Sequence, residues 1–304
     1  MYPRAFDYIA PETKEEVLDV LAERGDEVKI LAGGQSLIPM MKLRLASPAT
    51  LVDINRLQGL DAVDVVDGHL RIQALARHAD VAKSDVVKSE NGAMASAAPW
   101  IADPIVRNRG TLCGSVAHHD PEGDWASVML AVGAEVVAES KAGEVHYHPG
   151  ADGTRHSGGT RVIPISEFLV DMFTTSLHPS ELLTEVRVPR YERGGGNYQK
   201  LERKVGDYAT VGVATHLELD AAGKISKAGI ALTSVHPYNL EVVAAEQVLV
   251  GESPSTELFA EAAQIAKGAC SPSSDVRGSE AYKRDVVRVF VERGLAASLA
   301  EAQG

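Results

Sequence analysis

The chain has 304 residues, with 30 Lys and Arg against 42 Asp and Glu, and a formal net charge of −12. Hydrophobic residues make up 45% and charged residues 24%, a globular balance that excludes global disorder, and the length points to two domains at about 100–200 residues each. The acidic balance argues against a nucleic-acid partner, which needs clustered Lys and Arg to neutralise phosphates.

The first predicted helix starts at Thr13, where Glu16 completes a capping box, and stops at Gly25; Val17, Leu18, Leu21 and Ala22 share one face. A short apolar strand over 28–32 runs into Gly33-Gly34-Gln35-Ser36, an apolar segment over 37–45 and a second strand over 50–54. These 55 residues read as a small α/β unit. A strand over 70–75, helices over 79–87 and 91–100, a polar glycine-bearing stretch, a helix over 125–132 and a strand over 134–139 follow. Residues 140–161 lack any period and read as a long loop. From Leu177 the pattern changes to alternating segments over 183–188, 197–203, 210–219 and 226–235, an antiparallel meander with Gly194-Gly195-Gly196 as a flexible connection. Helices are predicted over 240–249, 255–267 and 279–293.

Ala32-Gly33-Gly34-Gln35-Ser36 ends a strand and opens a helix, a setting in which backbone N–H groups can cradle an anion. It is neither GxxxxGK[ST] nor GxGxxG, so a plain tight turn stands beside the phosphate reading. A second stretch, Thr111 to Ser115, is followed by His118, His119 and Asp120-Pro121-Glu122-Gly123-Asp124. Two glycine turns could clamp the two phosphates of a dinucleotide, with Asp124 accepting from sugar hydroxyls; the alternative for Asp120 and Asp124 is N-capping of the next helix. Lys200 could meet a flavin or nucleotide phosphate and Tyr208 an aromatic ring, against a solvated strand end with a turn at Gly206-Asp207. His118, His119, His146, His148 and His156 match no zinc spacing, and no metal site is expected. Met40 and Met41 read as core filler and Cys113 as a small buried residue. With only Cys113 and Cys270, the chain cannot form a disulfide scaffold or supply the roughly four thiolates of an iron–sulfur cluster. No signal peptide and no run of about 18 apolar residues is visible, so the expectation is a cytoplasmic protein.

Ala32-Gly33-Gly34-Gln35-Ser36-Leu37-Ile38-Pro39-Met40-Met41-Lys42, Leu51-Val52-Asp53-Ile54, Asp103-Pro104 with Arg107 and Gly110-Thr111, and Arg203-Lys204-Val205-Gly206-Asp207-Tyr208-Ala209-Thr210 stand in one order. Together they resemble the FAD-binding medium subunit of molybdenum hydroxylases, the xanthine dehydrogenase family, and most closely the medium subunits of aerobic carbon monoxide dehydrogenases. The resemblance runs over 6–284. It implies an α+β protein: a vanillyl-alcohol-oxidase (PCMH-type) FAD-binding domain over 1–176, in lobes of 1–55 and 56–176, then a C-terminal flavoprotein domain of antiparallel sheet plus helices over 177–304. It implies FAD as cofactor, its pyrophosphate on Ala32, Gly33, Gly34, Gln35, Ser36, Thr111, Gly114 and Ser115. Asp124 matches a ribityl and ribose contact, Lys200 a lysine at the pyrimidine edge and Tyr208 the aromatic residue beside the isoalloxazine; His118 joins this set. The family's Thr-Ile-Gly-Gly-Asn is here Thr111-Leu112-Cys113-Gly114-Ser115, so Cys113 and Ser115 depart from it.

The implied function is electron relay with no catalytic side chain in this chain. A large partner subunit would hold a molybdenum–pterin site, a small one two iron–sulfur clusters, and the FAD here would pass electrons to a quinone, NAD or another acceptor. A dimer of heterotrimers is implied, without direct membrane insertion, though partners could hold it at the inner membrane face. Carbon monoxide is the expected substrate; an N-heterocycle, a purine or an aldehyde would leave this subunit unchanged. A stand-alone flavin oxidoreductase and a binding protein that has lost FAD are the competing classes.

Overall fold

The structure, a computed structural model, describes residues 2–141, 145–147, 155–157 and 159–304. In the first lobe, strand Thr50–Asp53 lies between Asp7–Ile9 and Val28–Leu31, all parallel. Helix Lys14–Arg24 makes the crossover that parallel strands require. The Thr13 hydroxyl accepts from the Glu16 N–H at 3.2 Å, one half of the expected capping box, while the Glu16 carboxylate accepts from Glu12 N–H at 2.9 Å rather than from Thr13. Val17 and Leu21 bury one face of that helix against Val28, Val52, Ile54 and Leu57.

The second lobe is built on an antiparallel sheet in the order Val63–Val66, His69–Gln73, Leu182–Pro189, Glu135–Glu139, Thr160–Pro164. Its central strand comes from beyond Leu177. Val186 pairs with Ile72 on one side and Val136 on the other, so removing this strand would open two ladders of a buried sheet. We therefore place the domain boundary after Pro189 rather than at 176/177. Helices Gly92–Ala97, Leu112–His118 and Asp124–Ala131 pack on this lobe, with Trp125, Met129, Leu70, Ile72 and Phe168 in its core.

The third sheet is antiparallel, in the order Gly194–Leu201, Val211–Leu219, Ile225–Thr233, Leu240–Glu241. One face packs Leu217, Ile230 and Leu232 against helices Thr256–Ala269 and Glu280–Gln303 through Phe259, Val287, Val291 and Leu295. The other face gives Tyr198, Ala214 and Ala231 to the core of the second lobe.

Gly194-Gly195-Gly196 corrects the sequence reading: it is strand, not a flexible connection. Successive strand residues face opposite sides, and each side here is crowded. A Cβ on Gly195 would fall 2.6 Å from the Ala302 nitrogen, and one on Gly196 2.8 Å from the Ala93 Cβ. The glycines are there so that a helix can approach each face. The helix expected over 79–87 breaks at Ser84, which is extended and whose hydroxyl caps the next helix by accepting from Val87 N–H at 3.2 Å. The helix expected over 240–249 begins as edge strand Leu240–Glu241 and is helical only over Val243–Gln247. Within 140–161 the backbone forms a hairpin, Val145–Tyr147 with Arg155–Ser157; His148 and the side chains of His146 and His156 lie outside the described residues. Among the described residues no three His, Cys, Asp or Glu side chains are grouped to hold a metal, and no helix is long and apolar enough to cross a membrane.

Candidate functional site

Strand Val28–Leu31 ends at the first glycine segment, and Gly34 takes a φ of +72°, which turns the chain into helix Leu37–Leu43. Gly33 lies on the second segment: a Cβ there would fall inside contact distance of the Arg109 carbonyl oxygen and 2.6 Å from the Gly110 Cα. Two stretches about 75 residues apart are thus pressed backbone to backbone.

The second stretch is not a glycine turn. Thr111 is the N-cap of helix Leu112–His118, and its hydroxyl accepts from the Gly114 N–H at 3.1 Å. Cys113 therefore costs no backbone strain, because a helical position needs no glycine. Cys113 is buried, its thiol donates to the Ile72 carbonyl at 3.5 Å, and burial pushes its pKa far up, so it is no nucleophile.

Two residues that no motif singled out brace both segments. The Asn55 amide donates to the Ala32 carbonyl at 2.8 Å and accepts from Arg77 at 2.6 Å. Arg77 also donates to the Arg109 carbonyl at 2.5 Å, and burial followed by Arg109 lowers its pKa. Next to them His78 is buried and its Nδ1 accepts from the Trp125 indole at 3.0 Å; burial lowers its pKa to about 4, so it is neutral near pH 7.

At the other end stands a buried charged pair. Asp124 is the first residue of helix Asp124–Ala131, with Gly123 at the N-cap, so its carboxylate is free for other work. It accepts from the Tyr198 hydroxyl at 2.5 Å and from Lys200 Nζ at 2.9 Å. Lys200 donates also to the Trp100 carbonyl at 3.0 Å. Burial raises the Asp124 pKa, while Lys200 and Tyr198 oppose it; burial and the Asp124 charge raise that of Tyr198. Tyr198 and Lys200 sit two apart on one strand, hence on one face, and that spacing was the signal for Tyr198. Asp120 caps nothing either: its carboxylate accepts from the Glu122 N–H at 2.9 Å in a local turn.

Tyr208 is half exposed on a turn that Gly206 makes at a φ of +85°. Burial and the Asp120 carboxylate push its phenol up to about 12. The His118 ring lies 5.1 Å from that of Phe173, a residue that no sequence motif singled out. Burial lowers the His118 pKa.

Ala32, Gly33, Gly34, Gln35, Ser36, Thr111, Gly114, Ser115, His118, Asp124, Lys200 and Tyr208 all line one cavity of about 760 Å³. That volume is in the range of cofactor sites, about 300–1,000 Å³. Its chemistry suits a flavin dinucleotide: a backbone cradle without side chains for the anionic middle, a buried cation–anion pair at one end and a phenol at its open wall.

Residues 4–148 match the family described as the FAD binding domain in molybdopterin dehydrogenase, and residues 196–298 match the CO dehydrogenase flavoprotein C-terminal domain. The chain is 38% identical to the 6-hydroxypseudooxynicotine dehydrogenase complex subunit alpha of Paenarthrobacter nicotinovorans, over 100% of this chain and 97% of that one. It is 36% identical to the carbon monoxide dehydrogenase medium chain of Hydrogenophaga pseudoflava, over 99% of each. The solved carbon monoxide dehydrogenase from Hydrogenophaga pseudoflava superposes with a TM-score of 0.88 at 37% identity, over 99% of both chains. Quinoline 2-oxidoreductase from Pseudomonas putida 86 gives 0.85 at 29% identity, over 100% of both.

Proposed function

The chain belongs to the FAD-binding medium subunits of the molybdenum hydroxylases, and from that membership we propose that it is the electron-transfer flavin subunit of such an oxidoreductase. The observation that carries this reading is the one cavity shared by both glycine segments, Asp124, Lys200 and Tyr208. Bound FAD supplies reversible one- and two-electron chemistry. The chain's own residues bind and orient it. The backbone of Ala32 to Ser36, with Thr111, Gly114 and Ser115, holds the pyrophosphate. Asp124 takes ribityl and ribose hydroxyls, Lys200 the pyrimidine edge and Tyr208 the ring, and His118 closes the wall beside Phe173. No acid or base of this chain acts on the organic substrate.

Two cysteines, both buried, support a division of labour in which a small partner holds iron–sulfur clusters and a large one the molybdenum–pterin, in a dimer of heterotrimers. Electrons leave to a quinone or NAD. The relatives are named for 6-hydroxypseudooxynicotine, carbon monoxide and glyceraldehyde at 38–34% identity, which supports a substrate chosen by the partner. Carbon monoxide is the first to test and an N-heterocycle the second.

The deciding experiment is purification from the cells that make the chain, with an optical spectrum and the masses of co-purifying chains. Flavin and iron–sulfur absorbance with one small and one large companion is the expected result. A lone chain with flavin and no metal would overturn the relay in favour of a stand-alone flavin oxidoreductase.

A further inference from the structure

The link between helices Thr256–Ala269 and Glu280–Gln303 folds back toward the cavity. Asp275 and Gly278 close a tight turn, with backbone bonds at 3.0 and 3.3 Å. The Asp275 carboxylate accepts from the Arg277 N–H at 2.8 Å and from Lys283 Nζ at 2.7 Å, and Lys283 also donates to the Ser273 carbonyl at 2.9 Å. Lys283 is buried, so the turn is anchored to the helix that packs under the third sheet.

From this anchored turn Arg277 reaches two loops of different origin. Its Nη1 donates to Glu122 Oε2 at 3.2 Å and to the Ala209 carbonyl at 3.4 Å. Its Nη2 lies 3.9 Å from Asp207 Oδ1. Glu122 is two residues before Asp124, and Asp207 and Ala209 flank Tyr208. Glu122, Asp207 and Tyr208 line the cavity, and Arg277, its side chain only 20% exposed, stands behind them. The second Asp207 oxygen is buried with no hydrogen bond and lies 3.7 Å from Arg203 Nε, so charge from Arg203 within the turn and from Arg277 outside it places this carboxylate. The turn packs on the second lobe as well: a Cβ on Gly206 would lie 3.3 Å from Asp103.

We propose that Arg277 is a positioning residue of the flavin site, tying the loop ahead of Asp124 to the turn that carries Tyr208. A planar guanidinium addresses a carboxylate, a carbonyl and a second carboxylate through N–H groups fixed in a fork, where a lysine offers one point charge on a flexible stem. This role rests on the reading of the cavity as the FAD site.

The test uses the complete chain carrying Arg277→Gln, Arg277→Lys or Glu122→Gln, with amide hydrogen exchange followed by mass spectrometry and emission of bound FAD. In Arg277→Gln, the amides over 204–210 exchange about tenfold faster without FAD, as loss of one charge-assisted bond predicts, while helix Glu280–Gln303 keeps its protection. Emission of bound flavin rises, because a phenol held against the ring quenches it. Arg277→Lys falls between the two, and Glu122→Gln, which leaves the C-terminal turn intact, loosens the same amides. Unchanged exchange over 204–210 and unchanged emission would overturn the proposal. Should Arg277→Gln fail to fold, Glu122→Gln decides in the same way. Should the unaltered chain take up no FAD, the reading of the cavity fails, while the exchange measurement still decides the Arg277 bridge.

Discussion

Asp124 and Lys200 show how one pair of side chains serves both stability and the site. Both are buried, and Lys200 compensates Asp124 at 2.9 Å and the buried side chain of Glu202 at 3.8 Å, so removing the lysine leaves negative charge in low dielectric. Lys200→Met is expected to cost about 3–5 kcal/mol at pH 7, read as a lower urea midpoint. The double variant Asp124→Asn with Lys200→Met recovers only part of that loss, because the Glu202 side chain, 3.8 Å from Lys200 Nζ, stays buried without its cation. At the opposite end, Gly33 is a contact rather than a hinge. Gly33→Ala drives a methyl into Arg109 and Gly110, parting the two segments. It should lower stability by about 1–3 kcal/mol and weaken FAD uptake, measured by thermal unfolding and by titration with FAD.

Among the elements, strand Gly194–Leu201 is the one whose glycines carry the most meaning. If they were a flexible connection, Gly195→Ala would be neutral or mildly stabilising through the unfolded chain. Because Gly195 is pressed on the backbone of helix Glu280–Gln303, the same change should destabilise by about 1–3 kcal/mol or more in urea unfolding. The strand also carries Tyr198 and Lys200 to Asp124, so its register against Val211–Leu219, with Lys200 opposite Gly212, sets the site's charged end. A one-residue slip would turn both side chains to the helical face and leave Asp124 alone.

Across the whole molecule, acid should find buried imidazoles. His216, in the third sheet, is buried beside the Tyr191 ring, and burial followed by the Lys227 charge lowers its pKa to about 3. Its folded pKa lies below the unfolded value of about 6.5, so the unfolded chain binds the extra proton. The stability from the neutral form is full above about 6.5 and is lost as pH falls from there toward 3. Glu246, pushed up to about 7 by burial, works in the opposite direction, so the whole protein's curve mixes signs. The difference between the wild type and His216→Gln isolates the imidazole. In urea unfolding across pH 7.5 to 4.5, the wild type should lose about 1.4 kcal/mol per pH unit relative to the variant below pH 6.5. A flat difference would show that His216 is not held neutral.

The sequence by itself determined the local, namely the capped first helix, the turn at Gly34 and the meander, while a family resemblance pointed to the twelve proposed FAD residues, which share one cavity. Capping, glycine geometry and alternation act within a few residues, so they are visible in one dimension. Only the tertiary structure decided that Leu182–Pro189 is the centre of the second lobe's sheet, because a buried strand looks the same in any sheet that covers it. The same holds for the helix start at Thr111, and for Asn55 and Arg77, which act on carbonyls remote in the chain. It holds for Gly195 and Gly196, whose smallness answers helices Glu280–Gln303 and Gly92–Ala97, about 190 residues apart in the chain. Close approach and charge compensation between distant segments are properties of the packed molecule, and no local pattern encodes which segments will meet.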